Sequence, residues 1–94
     1  MSLGNNPYRI VIAGAARRRL AKLAKGERDR IDDKIRSLAS EPRPHGVEKL
    51  TDQGELFRVR VGAYRVVFAI DDRDRLIAVQ DVRGRDDVYR KGGN

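Results

Sequence analysis

The spacing of apolar residues in the first half of the chain predicts a strand followed by two helices. Residues 8–12 form a short β-branched run, which is typical of a strand. Helical spacing follows, and the apolar face of the first helix consists of Ala16, Leu20, Leu23 and Ala24. The second helix has its apolar face at Ile31, Ile35, Leu38 and Ala39. We expect Gly26 to end the first helix, and the second to end before Pro42, because the residue before proline disfavours the α conformation.

Apolar and polar residues alternate in the second half, which is typical of strands with one buried face. After a loop that ends near Leu50, the pattern predicts strands at about residues 55–61, 64–70 and 76–82. Gly62 and Ala63 are expected to form a tight reversal, and residues 71–74 a second turn. No helix separates these strands, so they should form an antiparallel meander. The predicted fold is α+β, with the N-terminal strand and a helical hairpin packed on one face of a small antiparallel sheet.

Arginines occupy polar positions of this predicted sheet. Arg58 and Arg60 alternate with apolar residues, so both should point away from the core. A two-residue reversal would place Arg60 directly opposite Arg65, and like charges in such a pair repel. Arg83 and Arg85 follow at the third strand. Because arginine keeps its charge and its planar fork fits phosphate oxygens, this face is a candidate for binding an anion. The alternative is a solvated face whose arginines protect the sheet edge.

Two further basic segments have more than one interpretation. Tyr89 stands among Arg85, Arg90 and Lys91. An aromatic ring among cations is suited to stacking on a nucleobase. The alternative is that the ring packs against the edge of the core. The segment 16–25 is interpreted as an RNA-binding helix, as the solvated side of an amphipathic helix, or as a membrane-surface helix. Its apolar stripe is narrow and lacks aromatics, which argues against the membrane.

Composition narrows the function classes. The chain has 94 residues, enough for one small domain, and its net charge of +7 favours an anionic partner such as nucleic acid or an acidic protein. It has no cysteine, which excludes disulfides and thiol chemistry, and we expect a cytoplasmic location. His45 is the single histidine, so the usual zinc ligand sets are absent and we expect neither a metal nor a cofactor. The longest apolar run is too short to cross a membrane.

Three segments taken together resemble the RelE/ParE superfamily of bacterial toxin–antitoxin toxins. They are Lys49-Leu50, FRVRVGAYRVVFAIDD at residues 57–72, and VRGRDDVYRK at residues 82–91. The order of the elements is also similar, and the resemblance covers residues 8–91. It implies a single RelE-like toxin domain at residues 7–91, with flexible tails at residues 1–6 and 92–94.

The RelE branch of the family implies an endoribonuclease that enters the ribosomal A site and cleaves mRNA without a metal, which stops translation. Arg65 matches an arginine that stabilises the scissile phosphate. Arg85 matches one that does the same or protonates the leaving oxygen, and Tyr89 matches the tyrosine that stacks on or orients the base. Arg58 and Arg60 occupy the two basic positions of the preceding strand. Further RNA contacts are expected from Lys49, Arg83, Arg90 and Lys91.

The chain departs from the family pattern at two places. The best-studied branch has lysines where this chain has Arg58 and Arg60, and arginine, unlike lysine, does not lose its proton in proteins. Many relatives have a histidine just before the catalytic arginine, where this chain has Gly84. The general base is therefore unassigned from the sequence.

Two other functions stay open, and each has its own partner. A ParE-like inhibitor of DNA gyrase shares the fold but generally lacks the terminal arginine–tyrosine set, and a non-catalytic module would bind RNA or an acidic protein. The toxin interpretation implies an acidic, partly disordered RelB-like antitoxin that assembles with the toxin as a heterotetramer. The RelE interpretation adds the ribosome and mRNA as partners. We expect no membrane partner.

Overall fold

The computed structural model describes residues 7–50 and 55–84, in which two helices lie against a five-stranded sheet. The strands are β1 (Arg9–Ile12), β2 (Glu48–Lys49), β3 (Leu56–Val61), β4 (Tyr64–Asp71) and β5 (Leu76–Gly84). The helices are α1 (Gly14–Ala21) and α2 (Lys25–Ser37). The predicted α+β class is confirmed. No helix within these residues is long and apolar enough to span a bilayer.

The sheet has the order β1-β5-β4-β3-β2, and its centre is the predicted antiparallel meander of β3, β4 and β5. Two features differ from the prediction. The N-terminal strand β1 is a member of the sheet and pairs in parallel with β5, so the sheet is only mostly antiparallel. The segment expected to be a loop up to Leu50 contains β2, which pairs with β3. A two-residue strand carries too little alternation to be visible in the sequence.

The reversal between β3 and β4 forms at Gly62 and Ala63, as predicted. Gly62 has φ of +61°, whereas Ala63 does not have a positive φ. A positive φ at the first of two turn residues is the pattern of a type II′ turn, whose twist matches that of the flanking strands. This turn sets the register in which Arg60 lies opposite Arg65.

The predicted break between the helices was placed at the wrong residue. The first helix ends at Ala21, and Gly26 lies inside α2 rather than between the helices. Consequently Ala24 is exposed rather than on the buried face, and Leu23 is half-buried. Ala24 has the extended conformation of a residue that precedes a helix, and no glycine is needed there. The predicted end of the second helix before Pro42 is confirmed.

The core lies between the helices and one face of the sheet, where α1 contacts β5 and α2 contacts β3. The helices contribute buried Ala16, Leu20, Ile31 and Ile35, and Leu38 follows at the end of α2. The sheet contributes Phe57, Val59, Val66, Phe68, Ile70, Ile77, Val79 and Val82. The side chains that alternate with these strand residues point to the opposite face, which the helices do not cover.

A bulge in β5 changes which residues reach that open face. Val67 pairs with Asp81 and Phe68 pairs with Val79, so Gln80 is an extra residue in β5. Such a bulge shifts the alternation by one position. Both Val79 and Val82 therefore face the core, and Asp81 and Arg83 face outward.

Candidate functional site

Three arginines lie side by side across the open face of the sheet. Arg60 of β3 pairs in register with Arg65 of β4, as the sequence predicted, and Arg65 pairs in turn with Arg83 of β5. We call Arg60, Arg65 and Arg83 the arginine row. Adjacent strands are about 4.8 Å apart, so the row concentrates three positive charges within about 10 Å. Like charges in such positions destabilise a sheet, and an anion bound across them would relieve the repulsion.

The next row along the strands contains two carboxylates and one arginine. Its members are Glu48, Arg58, Val67 and Asp81, one from each of β2 to β5. Glu48 Oε1 accepts a hydrogen bond of 2.7 Å from Arg58 Nε. Arg83 Nε donates to Asp81 Oδ2 at 3.0 Å. These acids hold two of the arginines in place from one side.

Arg60 and Arg65 make fewer contacts with the described residues than Arg58 and Arg83 do. Arg60 Nε donates to the carbonyl oxygen of Gly62 at 3.3 Å, and Arg60 forms no ion pair with a carboxylate of residues 7–50 or 55–84. Arg65 forms no hydrogen bond or ion pair with residues 7–50 or 55–84, although its side chain is half-buried. An arginine that lies between a basic neighbour on each side is suited to an external anion.

A cavity of about 240 Å³ opens between these residues. Its lining consists of Gly46, Glu48, Arg58, Arg60 and Arg65. Gly46 has φ of +87°, a conformation that favours glycine, and it turns the chain into β2. The cavity therefore brings one carboxylate and three guanidinium groups within reach of the same small ligand.

The comparisons with known proteins agree with this architecture. The family model described as the ParE toxin of type II toxin–antitoxin systems matches residues 10–89. The chain belongs to the ParE toxin family, within the RelE/ParE superfamily. It is thus a toxin of a toxin–antitoxin system. A search of curated proteins gives no match.

Solved structures of related toxins superpose well on this toxin. RelE in the RelE–RelB complex of Pyrococcus horikoshii is 29% identical, with a TM-score of 0.78, and the match covers 85% of this chain and 97% of that one. The toxin–antitoxin complex RelBE2 of Mycobacterium tuberculosis gives 27% identity, a TM-score of 0.74, and coverage of 85% and 100%. The isolated RelE toxin of E. coli is 21% identical, with a TM-score of 0.71 and coverage of 90% and 94%, and it supports the fold alone.

Some residues that the sequence singled out lie away from the arginine row or outside the described part of the toxin. Lys49 pairs in register with the core residue Phe57, so it points to the face opposite that of Glu48. Its Nζ lies 3.9 Å from Glu55 Oε2. His45 is exposed in the loop before β2. The predicted positions Arg85, Tyr89, Arg90 and Lys91 fall outside the described residues.

The structure adds two residues that the sequence interpretation missed, namely Glu48 and Asp81. Both are ordinary surface acids in the sequence, and each becomes part of the site through strand pairing. No local signal identifies Glu48, because β2 is too short to show alternation. Asp81 could have been found only by recognising the bulge at Gln80, since simple alternation from Val79 would point Asp81 into the core.

Gly84 lies close to the side chain of Tyr64 on β4. A Cβ atom at Gly84 would lie 3.2 Å from Cε2 of Tyr64, so a side chain there would require the ring to move by a few tenths of an ångström. The Tyr64 hydroxyl in turn donates a hydrogen bond of 3.2 Å to Glu27 Oε1 of α2. The tyrosine thus occupies space beside β5 and connects the end of the sheet to α2.

Proposed function

We propose that this toxin is a ribosome-dependent mRNA endonuclease that acts in the A site and inhibits translation without a metal. The observation that supports it best is the arginine row beside a cavity that also contains a carboxylate. Phosphoryl transfer requires orientation of a phosphate and stabilisation of the negative charge that builds on it. Guanidinium groups carried on a paired sheet supply both, because their positive charge is already in place before the RNA arrives.

In the proposed reaction the ribose 2′-hydroxyl of the mRNA attacks the adjacent phosphorus. A bond forms between the 2′-oxygen and phosphorus, and the bond from phosphorus to the 5′-oxygen breaks. The products are a 2′,3′-cyclic phosphate and a 5′-hydroxyl. Arg60 and Arg65 bind the non-bridging oxygens, and Arg58 and Arg83 hold the flanking backbone.

In this reaction the 2′-hydroxyl loses a proton and the leaving 5′-oxygen gains one, so an acceptor and a donor are needed. Glu48 lines the cavity and is the carboxylate that we assign as acceptor of the 2′-hydroxyl proton. Its contact with Arg58 orients it without excluding this role, because a carboxylate has a second oxygen available. The family resemblance implies that Arg85 stabilises the charge on the phosphate or protonates the leaving 5′-oxygen, and that Tyr89 stacks on or orients the base. Because arginine does not lose its proton in proteins, we assign Arg85 the electrostatic role, and the leaving 5′-oxygen takes its proton from water.

Primer extension on a reporter mRNA in a translating extract tests this proposal. We expect the wild type to cut within A-site codons, and Arg65→Ala to lower the cleavage rate about 10²- to 10³-fold, the loss typical when a group that stabilises transition-state charge is removed. Arg85→Ala should have a similar effect. Arg73→Ala is the matched control, because Arg73 is an exposed arginine in the turn between β4 and β5. Intact mRNA with folded wild-type toxin would reject the proposal.

The proposed partners are the ribosome with its mRNA and a cognate acidic antitoxin of the RelB type. The related toxins of Pyrococcus horikoshii and Mycobacterium tuberculosis are both in complexes with antitoxins. An acidic segment would neutralise the arginine row and cover the open face. We propose that the two chains form a heterotetramer and that the toxin acts in the cytoplasm. Co-purification with the product of an adjacent acidic reading frame, followed by a mass measurement, tests both the partner and the stoichiometry.

A second candidate function is inhibition of DNA gyrase. The observation that favours it is the match to the family model described as ParE. A supercoiling assay with purified gyrase separates the two functions. Inhibition by both wild type and Arg65→Ala, with mRNA left intact, would support the gyrase function, because no phosphate chemistry would then depend on the arginine row.

A further inference from the structure

Most of the net positive charge of the described toxin lies in its helical region rather than in the meander of β3, β4 and β5. Residues 14–37 contain nine lysines and arginines against four acidic residues, whereas residues 55–84 contain six against five. The arginine row is therefore a local concentration within a nearly balanced sheet. The excess charge on the helices has no role in the reaction proposed above.

One flank of α1 carries three of these cations. With about 100° of rotation per residue, Arg19, Lys22 and Arg18 follow one another around the same side of the helix, and only Ala15 stands between them. Arg18 and Lys22 are also separated by four residues, a spacing at which like charges destabilise a helix. Both side chains are exposed, and neither forms an ion pair with any residue of the described segments. Arg17 lies on the opposite flank and donates to the carbonyl oxygen of Ile12.

This flank is joined to the arginine row through one carboxylate. Asp81 Oδ2 accepts from Arg83 Nε at 3.0 Å, and Asp81 Oδ1 lies 3.5 Å from Arg19 Nε. The last residue of the arginine row and the first cation of the helical flank therefore share the two oxygens of one side chain. The Asp81 side chain is only 20% exposed, which fits a fixed link between α1 and β5.

We propose that the arginine row continues onto α1 as a track for the phosphate backbone of a single RNA strand. The strand would run across β3, β4 and β5 and leave the sheet over Arg19, Lys22 and Arg18. This inference rests on the proposed function, and it adds a direction for the RNA and a second contact surface. Cations at intervals along one continuous surface are what binding of a flexible polyanion requires.

The experiment measures binding of a single-stranded RNA to the full-length toxin as a function of salt. The probe is a fluorescent dodecanucleotide whose 2′-hydroxyls are methylated, so that it lacks the attacking group and cannot be cleaved. The test variant is the double substitution Arg18→Gln and Lys22→Gln. The matched control is Arg30→Gln and Arg36→Gln, which removes the same charge from exposed positions of α2.

For single strands, the slope of log affinity against log salt changes by about 0.7 for each phosphate contact. We expect the α1 variant to lose about 0.7 to 1.4 from this slope relative to the wild type, and the α2 control to lose none. A tetranucleotide of the same chemistry should bind the wild type and the α1 variant equally, because it covers only the arginine row.

Equal slopes for the two double variants would overturn the track, since the helical charge would then act only at long range. Equal loss with the tetranucleotide and the dodecanucleotide would overturn it as well. Failure of the wild type to bind either oligonucleotide would also count against the track, whereas primer extension decides the proposed function separately.

Discussion

At the scale of single residues, Arg43 connects parts of the toxin that are distant in sequence. Its Nη2 lies 2.8 Å from Glu55 Oε1 and 2.9 Å from Asp72 Oδ2, and its guanidinium stands 5.3 Å from the centre of the Phe57 ring. The Tyr8 hydroxyl donates to Asp72 Oδ1 at 2.6 Å. The loop before β2, the start of β3, the turn after β4 and the residue before β1 thus meet at one cluster. This cluster lies at one end of β3 and β4, and the arginine row lies at the other end of the same strands.

Asp72 should make the stability of the toxin depend on acid pH. Hydrogen bonds from Arg43, and then from Tyr8, hold the pKa of the Asp72 carboxyl below its usual range. A depressed pKa in the folded state stabilises the fold above the pKa of the unfolded chain, and that contribution is lost as the pH falls through the folded value. We expect Asp72→Asn to lower the urea midpoint at pH 7. The difference from the wild type should shrink as the pH falls below about 4.

Urea unfolding at a series of pH values, followed by circular dichroism, measures this effect. Asp33→Asn is the control, because Asp33 is an exposed acid on α2 whose side chain has no ion pair with the described residues. A gap between wild type and Asp72→Asn that stays constant from pH 7 to pH 3 would contradict the prediction.

Glu48 gives a second prediction at this scale. Glu48→Gln keeps an oxygen that can accept from Arg58 but cannot accept the proton of the 2′-hydroxyl. We expect single-turnover cleavage on programmed ribosomes to slow by about 10²- to 10⁴-fold, the usual contribution of a general base. Glu41→Gln, an exposed acid in the loop after α2, should cleave at the wild-type rate. A Glu48→Gln rate within a few-fold of wild type would assign the proton to another group.

At the scale of elements, the two-residue turn before β4 determines the pairing of Arg60 with Arg65. Only a short turn with a positive φ at its first residue gives this register without splaying the strands. The charge repulsion within the pair is balanced by the neighbouring pairs of the same two strands, such as Val59 with Val66. The two strands therefore tolerate an unfavourable pair at the site because most of their other pairs join apolar residues.

Two glycines should respond in opposite ways to the same substitution. Gly62→Ala places a Cβ at φ of +61° and should destabilise the toxin by about 1–2 kcal/mol. Gly26 lies inside α2, has no neighbouring atom within 4 Å of a built Cβ, and does not have a positive φ. Gly26→Ala should therefore stabilise the toxin by about 0.5–1 kcal/mol. Chemical denaturation measures both changes, and shifts of the same sign would show that the two backbone conformations are wrongly assigned.

At the scale of the whole molecule, one core supports both the helices and the site. Phe68 is fully buried at the centre of β4, and its ring centre lies 6.0 Å from that of Phe57. The arginine row occupies the reverse side of the same strands, so its geometry depends on this packing. A domain of this size buries a single core and has little excess stability.

Phe68→Ala should therefore remove a large part of the total stability. The expected cost is about 3–5 kcal/mol, set against roughly 5–15 kcal/mol for a typical domain. Val11→Ala is the contrast, because Val11 of the edge strand is 51% exposed and should change stability by less than about 0.5 kcal/mol. Equilibrium urea unfolding of both variants gives the comparison. A small loss for Phe68→Ala would mean that the core can collapse around the vacated volume.

Local patterns in the sequence were sufficient for much of this fold. Alternation from Phe57 to Val61 and the glycine at 62 identify β3, its turn and the opposition of Arg60 to Arg65, because each depends on neighbours within a few residues. The apolar faces at Ile31 and Ile35 identify α2 for the same reason. The break between the helices was misplaced because glycine is tolerated near the start of a helix, where the sequence rule expects an end.

The remaining features depend on pairing between segments far apart in the chain. The position of Arg83 beside Arg65 requires the register of β4 with β5 and the bulge at Gln80, and Glu48 enters the site only because β2 pairs with the edge of β3. Strand pairing is chosen by the packing of the whole sheet, and a shift of one residue would turn every side chain to the other face. The sequence by itself determined the elements, the family resemblance and the cationic character of the site. Only the tertiary structure decided which charges became neighbours, because these contacts join residues that no local rule relates.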